Sequence, residues 1–287
     1  MTTDEHALAT SSLRELTPTD LPDLQQLLDR DPVRHCFVAH RVHASAMQSW
    51  RMGGQVWGWF EGEQLVSAMY NGANLVPVEA TEAALFAFAD RSRKFGRRCS
   101  SMVGPADEVA ELWRLLAPSW GPARDERTNQ PVMTLTQAPS VEPDPLVRLV
   151  REDELDILLP ACIDMFTEEV GISPTVNGGG GAYRNRISEL VSGRRSFVKY
   201  LGTELIFKAE VGTVGAGVAQ IQGVWVKPEY RGTGVSVPAM AAVVKLVLAD
   251  LAPVVSLYVN DYNEVALKTY RSVGFEQVDT FATVLFS

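Results

Sequence analysis

The tightest constraint in this chain is residues 224–236, Val-Trp-Val-Lys-Pro-Glu-Tyr-Arg-Gly-Thr-Gly-Val-Ser. Its β-branched and aromatic residues read as a strand that ends at Pro228. A polar turn follows, with Arg231 and two glycines one residue apart, and then the apolar run 235–251 reads as a helix. A strand that enters a helix through a glycine turn is a trap for anions. The glycines let the backbone approach a phosphate, the first helical N–H groups lack intrahelical acceptors, and the positive end of the helix dipole points the same way. Proline is tolerated only where its missing N–H would have been unpaired, so Pro238 puts the helix start near Gly234 or Val235.

Downstream, 254–260 reads as a second strand, followed by Asn263-x-x-Ala266-x-x-x-Tyr270-x-x-x-Gly274-Phe275. That pattern, with Val224-x-Val226 and Arg231-x-x-Gly234-x-Ser236 ahead of it, resembles the two motifs of the GNAT N-acetyltransferases, the first being Arg/Gln-x-x-Gly-x-Gly/Ala. Ser236 departs from the pattern, although it is small and its hydroxyl can itself donate to a phosphate. The resemblance implies an acyl-CoA N-acyltransferase fold, a mixed α/β sheet, with acetyl-CoA as co-substrate and no metal. It implies that Val224, Trp225 and Val226, the turn Arg231, Gly232, Thr233, Gly234, Val235 and Ser236, and then Asn260, Asn263, Ala266 and Tyr270 hold that co-substrate.

A net charge of -9 and a pI near 5.0 argue against a nucleic-acid or anionic-membrane partner. CoA is also an anion, so its capture falls to local dipoles and a few basic side chains. Cys36, Cys99 and Cys162 lie far apart without a Cys-x-x-Cys pair, which suggests neither a disulfide framework nor a zinc site and fits a reducing cytoplasm. His35, His40 and His43 fall within nine residues but lack accompanying cysteines or a His-Glu-x-x-His pattern. Residues 1–12 are polar and acidic, unlike an export signal, and no apolar run reaches the roughly 18 residues of a membrane span.

The chain reads as two domains, 1–137 and 146–287, joined by a linker at 138–145 whose three prolines prevent a helix. In the first half a strand at 13–16 and a helix at 21–29 lead to paired strands at 55–60 and 64–70, then to helices at 82–95 and 106–116 around a short strand at 100–103, with a closing strand at 132–135. This order resembles a second GNAT-like unit, and also the uncharacterised domain that precedes the GNAT domain in a group of actinobacterial proteins. No Arg-x-x-Gly-x-Gly turn stands where a cradle belongs, so the unit reads as degenerate: it stabilises, dimerises or covers the active half.

In the second half a strand at 146–151 precedes a helix at 153–170 that Pro160 interrupts, ending in Glu168 and Glu169, and strands follow at 196–200, 204–211 and 218–226. The glycines of 177–181 mark either a substrate lid or a plain connector. Residues 212–217, superficially a nucleotide loop, lead into a strand and therefore read as a hairpin turn.

By resemblance, a primary amine attacks the thioester directly in a ternary complex, and a backbone N–H near Val224 polarises the carbonyl. Tyr270 is the candidate acid for the departing sulfur or else a core tyrosine, and Asn260 and Asn263 contact the cofactor arm or cap the next helix. Gln220 and Gln222 stand where the family often has a glutamate, which leaves Glu210, Glu168 and Glu169 as candidate bases. The acceptor is a small-molecule or protein amine. A CoA-binding sensor without turnover and an acyltransferase for larger acyl groups are the alternatives.

Overall fold

The structure, a computed structural model, describes residues 11–286; residues 1–10, most of the polar N-terminal stretch, lie outside the described residues. Two compact units divide the chain, Met1–Pro131 with Asp279–Ser287, and Val132–Val278.

The first unit holds β1 (Ser11–Glu15), α1 (Leu21–Leu28), α2 (Pro32–Ser45), α3 (Ser49–Met52), β2 (Gly54–Glu61), β3 (Gln64–Gly72), β4 (Asn74–Val78), α4 (Glu82–Phe95), β5 (Ser101–Pro105) and α5 (Ala106–Trp120). Its sheet runs β1-β2-β3-β4-β5, antiparallel except for the β4/β5 pair. Sequence reading missed α2, although its start is well marked: Asp31 accepts from the N–H groups of Val33 and Arg34, and Pro32 takes the first helical position. Trp57, Leu85, Phe88, Met102 and Leu112 pack the core beneath α4 and α5.

The second unit takes the end of β6 (Asp125–Leu135), then β7 (Arg148–Leu149), α6 (Leu155–Val170), α7 (Gly180–Ser192), β8 (Ser196–Leu201), β9 (Glu204–Gly215), β10 (Val218–Val226), α8 (Ser236–Asp250), β11 (Val254–Tyr258) and α9 (Glu264–Val273). Residues 132–135 of β6 pair with β11, and the order continues β11-β10-β9-β8-β7, with β10 and β11 parallel. The last strand, β12 (Glu276–Leu285), returns to the first unit, where residues 281–285 pair with β5. The compact units are therefore drawn differently from the expected division at 138–145. Residues 138–145 pack within the second unit: Ser140 N–H bonds Val273 O at 2.8 Å, Asp144 N–H bonds Pro238 O at 3.0 Å, and Lys199 pairs with the Asp144 carboxylate.

Between Phe207 and Val211 β9 alternates, which decides what each face of the second sheet meets there. Phe207, Ala209 and Val211 join Val243, Val247, Tyr270 and Phe275 in the core under α8 and α9, while Lys208 and Glu210 turn toward α6 and α7. Pro160 does not interrupt α6. It and Asp156 are both exposed, so water can satisfy the carbonyl that the proline leaves without a donor. The glycine stretch is an ordered turn: α7 begins at Gly180, and a Cβ on Gly179 would lie 2.6 Å from Pro174 O, so close approach, more than freedom, requires glycine there. β9 runs on to Gly215 and turns through Ala216 and Gly217, both at positive φ, as expected of a hairpin. Among the described residues no helix is long and apolar enough to cross a membrane.

Candidate functional site

β10 stops because Pro228 cannot donate, and a 3-10 turn, Pro228–Tyr230, carries the chain into the glycines. Gly232 (φ +74°) and Gly234 (φ +87°) both take left-handed conformations, and a Cβ at either would meet nothing within 4 Å. The turn needs glycine for its backbone and leaves open space in front of it. The first hydrogen bond into α8 is Ala239 N–H to Val235 O at 3.3 Å, so the N–H groups of Ser236 and Val237 have no helical acceptor. No acidic residue lies in that first turn. Open glycines, unclaimed N–H groups and a helix dipole fit an anionic phosphate group.

Other side chains of the turn are committed. Arg231 donates to Val226 O at 2.9 Å and to the Glu168 carboxylate at 2.8 Å, so Glu168, at the end of α6, tethers the cradle arginine. Thr233 Oγ1 donates to Tyr230 O at 2.7 Å, and Ser236 Oγ lies 3.3 Å from Thr269 Oγ1 of α9.

The gap beside the turn comes from the strands. β10 and β11 pair only at Val218–Val254, Ala219–Val255 and Gln220–Ser256, and then diverge. A bulge between Gln222 and Trp225, with Gly223 at φ +59°, breaks the β9/β10 register on the other edge. Val224 lies in this bulge and Val226 follows it, both on the opened strand, whereas Trp225 is buried among α6 and α7 residues.

Tyr270 projects from α9 into the core, 8% exposed, its ring edge-on to Phe275 at 5.9 Å. Burial raises its pKa, and the Glu169 carboxylate raises it further, so the phenol stays protonated. Glu169 acts likewise on Tyr183 of α7, whose pKa burial, Cys162 and Glu210 also raise. The fold thus brings Glu169 within electrostatic reach of the candidate acid. Asn263 caps α9, its side chain accepting from Ala266 N–H at 3.1 Å, and the Asn260 carbonyl accepts from Asn263 N–H at 2.9 Å.

Glu210 is 3% exposed, and its partner Lys208 is completely buried. The Lys208 ammonium donates to Glu210 Oε1, and the Cys162 thiol donates to the same oxygen at 3.4 Å. Sequence reading passed over Lys208 and Gly223. The signal was present, since two charges two residues apart in the otherwise apolar run Leu205–Val211 must share one face of a buried strand.

The first unit repeats the strand, turn and helix at β4 and α4, and here side chains take three N–H groups in and around the turn. Ala80 N–H donates to Glu108 Oε2 at 3.0 Å, Thr81 N–H to Ser67 Oγ at 3.2 Å, and Ala84 N–H to Thr81 Oγ1 at 3.3 Å. Glu108 thus sets a carboxylate against the turn that enters α4. The histidines of α2 are engaged locally, His35 with Glu79 at 2.9 Å and His43 with Gln25.

Comparison with known proteins agrees with this geometry. Residues 185–275 match the profile of the acetyltransferase (GNAT) family, and residues 54–158 match a domain of unknown function, DUF4081. No curated protein matches the chain in sequence. Among solved structures, a Drosophila protein superposes with a TM-score of 0.66 at 12% identity, covering 96% of this chain and 99% of that one. A GCN5-related N-acetyltransferase from Sphaerobacter thermophilus gives 0.60 at 14%, covering 96% and 95%. A tandem GNAT protein from the clavulanic acid biosynthesis pathway gives 0.53 at 14%, covering 96% and 98%. At such identities these likenesses speak to fold alone. The C-terminal half of this chain carries a GNAT-family acetyltransferase domain, preceded by a DUF4081 domain, on the mixed α/β fold of the tandem GNAT proteins.

Proposed function

We propose that the second unit transfers an acetyl group from acetyl-CoA to a primary amine by direct attack, and that the first unit does not turn over. The observation that carries this reading is the glycine turn 231–236, open in front and backed by unclaimed N–H groups, beside strands that part after three pairs. Acetyl-CoA, when bound, supplies the activated acetyl group and a thiolate leaving group. The N–H groups of the turn and of the first residues of α8 would hold its phosphates, and the parted edge of β10 at Val224 and Val226 would offer main-chain partners to its arm.

Tyr270 is the proton donor for the departing sulfur: it is protonated, buried and beside a carboxylate. Glu169 takes, through water, the proton that the attacking nitrogen sheds. Glu210 suits that task less. Protonating it would leave Lys208 as an uncompensated buried charge, a change that costs about 3–5 kcal/mol when one partner of a buried pair is lost. The Glu108 carboxylate on Ala80 N–H, in the turn that enters α4, supports a first unit without its own CoA site.

The reading is tested by thiol release from acetyl-CoA with a panel of amines, alongside calorimetry. Amine-dependent release with one acetyl-CoA bound per chain is expected. Binding without release by any amine would instead favour a CoA sensor.

A further inference from the structure

On the face of β9 turned toward α6 and α7, one carboxylate oxygen remains unused. Both donors of the cluster, Lys208 and Cys162, go to Glu210 Oε1; Oε2 accepts from no described donor. That oxygen lies 3.2 Å from where a Cβ on Gly223 would sit, and Met165 Cε lies 3.1 Å from the same point. Oε2 therefore faces the β10 bulge, in the stretch of β10 beyond its last pair with β11, and glycine is what leaves it room.

The groups around this carboxylate are Lys208 on its own strand, Cys162 of α6 and Tyr183 of α7, with Glu169 and Arg186 beyond the tyrosine. Burial pushes the Cys162 thiol up to about 12, so it stays protonated. Burial works to lower the Lys208 pKa, but the Glu210 charge outweighs it and the net shift is upward. Lys208 thus stays charged, and set against the Glu210 carboxylate it makes a pair with no net charge. Two buried polar atoms near it lack partners: Ser196 Oγ, on the residue paired with Glu210 in β8, and Trp225 Nε1, on the residue paired with Lys208 in β10.

We propose that Glu210, fixed by Lys208 as a positioning residue, accepts a hydrogen bond from the attacking amine through Oε2, and that the acceptor class is an amine of low basicity, such as an α-amino group, arriving neutral. The inference rests on the acetyltransferase reading above and narrows its substrate. A net-neutral buried pair gives an alkylammonium little to offset its loss of hydration, and moving the proton onto Glu210 would strand the Lys208 charge. An α-amino group near pKa 8 is neutral about once in ten molecules at pH 7, whereas a lysine amine near 10.4 is neutral about once in a few thousand. A charge-compensated site therefore favours the first.

The test measures initial rates from pH 6 to 10 with a dipeptide α-amine and with Nα-acetyllysine, for wild type and Lys208→Met, with acetyl-CoA affinity by calorimetry as control. In wild type the rising limb of kcat/KM is expected to follow each amine's own pKa, with the dipeptide preferred by roughly a hundredfold or more at pH 7. Lys208→Met is expected to raise the amine KM at least tenfold while acetyl-CoA affinity stays within threefold. A common limb for both amines, preference for the lysine analogue at pH 7, or an unchanged amine KM in Lys208→Met overturns the proposal. If Lys208→Met does not fold, the two wild-type limbs still decide. Wild type that binds acetyl-CoA but acetylates neither amine also overturns it and leaves the CoA site standing; failure to bind acetyl-CoA removes the acetyltransferase reading itself.

Discussion

Glu108→Gln probes the carboxylate set against the turn into α4 in the first unit. Glu108 is 8% exposed at the start of α5, and its carboxylate accepts one backbone bond, from Ala80. Burial raises its pKa from 4.5 to about 7; Asp107 and Glu79 add to the rise, while the Ala80 N–H and Arg34 oppose it. Between pH 4.5 and 7 the folded chain therefore binds more protons here than the unfolded chain, so this group's contribution falls as the pH rises through that window and is flat above it. At 1.36 kcal/mol per unit the rise amounts to roughly 3 kcal/mol of destabilisation at pH 8. Glutamine keeps an acceptor for Ala80 and carries no charge. The variant should match wild type near pH 4.5 and exceed it by about 1–3 kcal/mol at pH 8. Urea unfolding followed by tryptophan fluorescence suits the measurement, because five of the six tryptophans, all but Trp225, lie in the first unit. His35, whose pKa burial lowers, loses stability in the opposite direction as the pH falls, but it is common to both proteins and cancels in the difference. A difference that is the same at pH 5 and pH 8, or a variant less stable at pH 8, would refute the reasoning.

Gly234→Val should weaken acetyl-CoA binding at least tenfold by calorimetry, because it fills the open space of the turn and strains a left-handed residue; unchanged affinity would move the cradle elsewhere. Tyr270→Phe keeps the ring against Phe275 and should lower kcat by roughly ten- to a thousandfold with acetyl-CoA affinity within a few fold; wild-type turnover would remove the acid role. Glu169→Gln should lower kcat at least roughly tenfold without moving the rising limb of the pH profile, and a shifted limb would make Glu169 the group that deprotonates the free amine. Titration should give one acetyl-CoA per chain, since the Glu108 carboxylate already occupies the turn into α4; two equivalent sites would contradict that reading.

Much of the candidate site was legible in the sequence because its parts are local. Gly232 and Gly234 declare positive φ, Pro228 and Pro238 bracket a strand end and a helix start, and Asn263 announces the cap it forms. Backbone dihedrals and helix termini are set by neighbours a few residues away, so the order of strand, turn and helix follows from 224–236 without tertiary information. The tertiary structure decided whatever depends on partners distant in sequence. The return of β12 to β5 is one such choice, since alternation marks a strand but not its neighbour. The tether of Glu168 to Arg231, 63 residues apart, is another, and the capture of Ala80 N–H by Glu108 is a third. Lys208 and Glu210 show the division within one strand: the two-residue spacing put both charges on one face, but only the packing of α6 against that face, with Cys162 on Oε1 and the Gly223 bulge beside Oε2, made them a buried pair with one oxygen to spare, because burial and charge compensation are properties of what surrounds a side chain and not of the side chain itself.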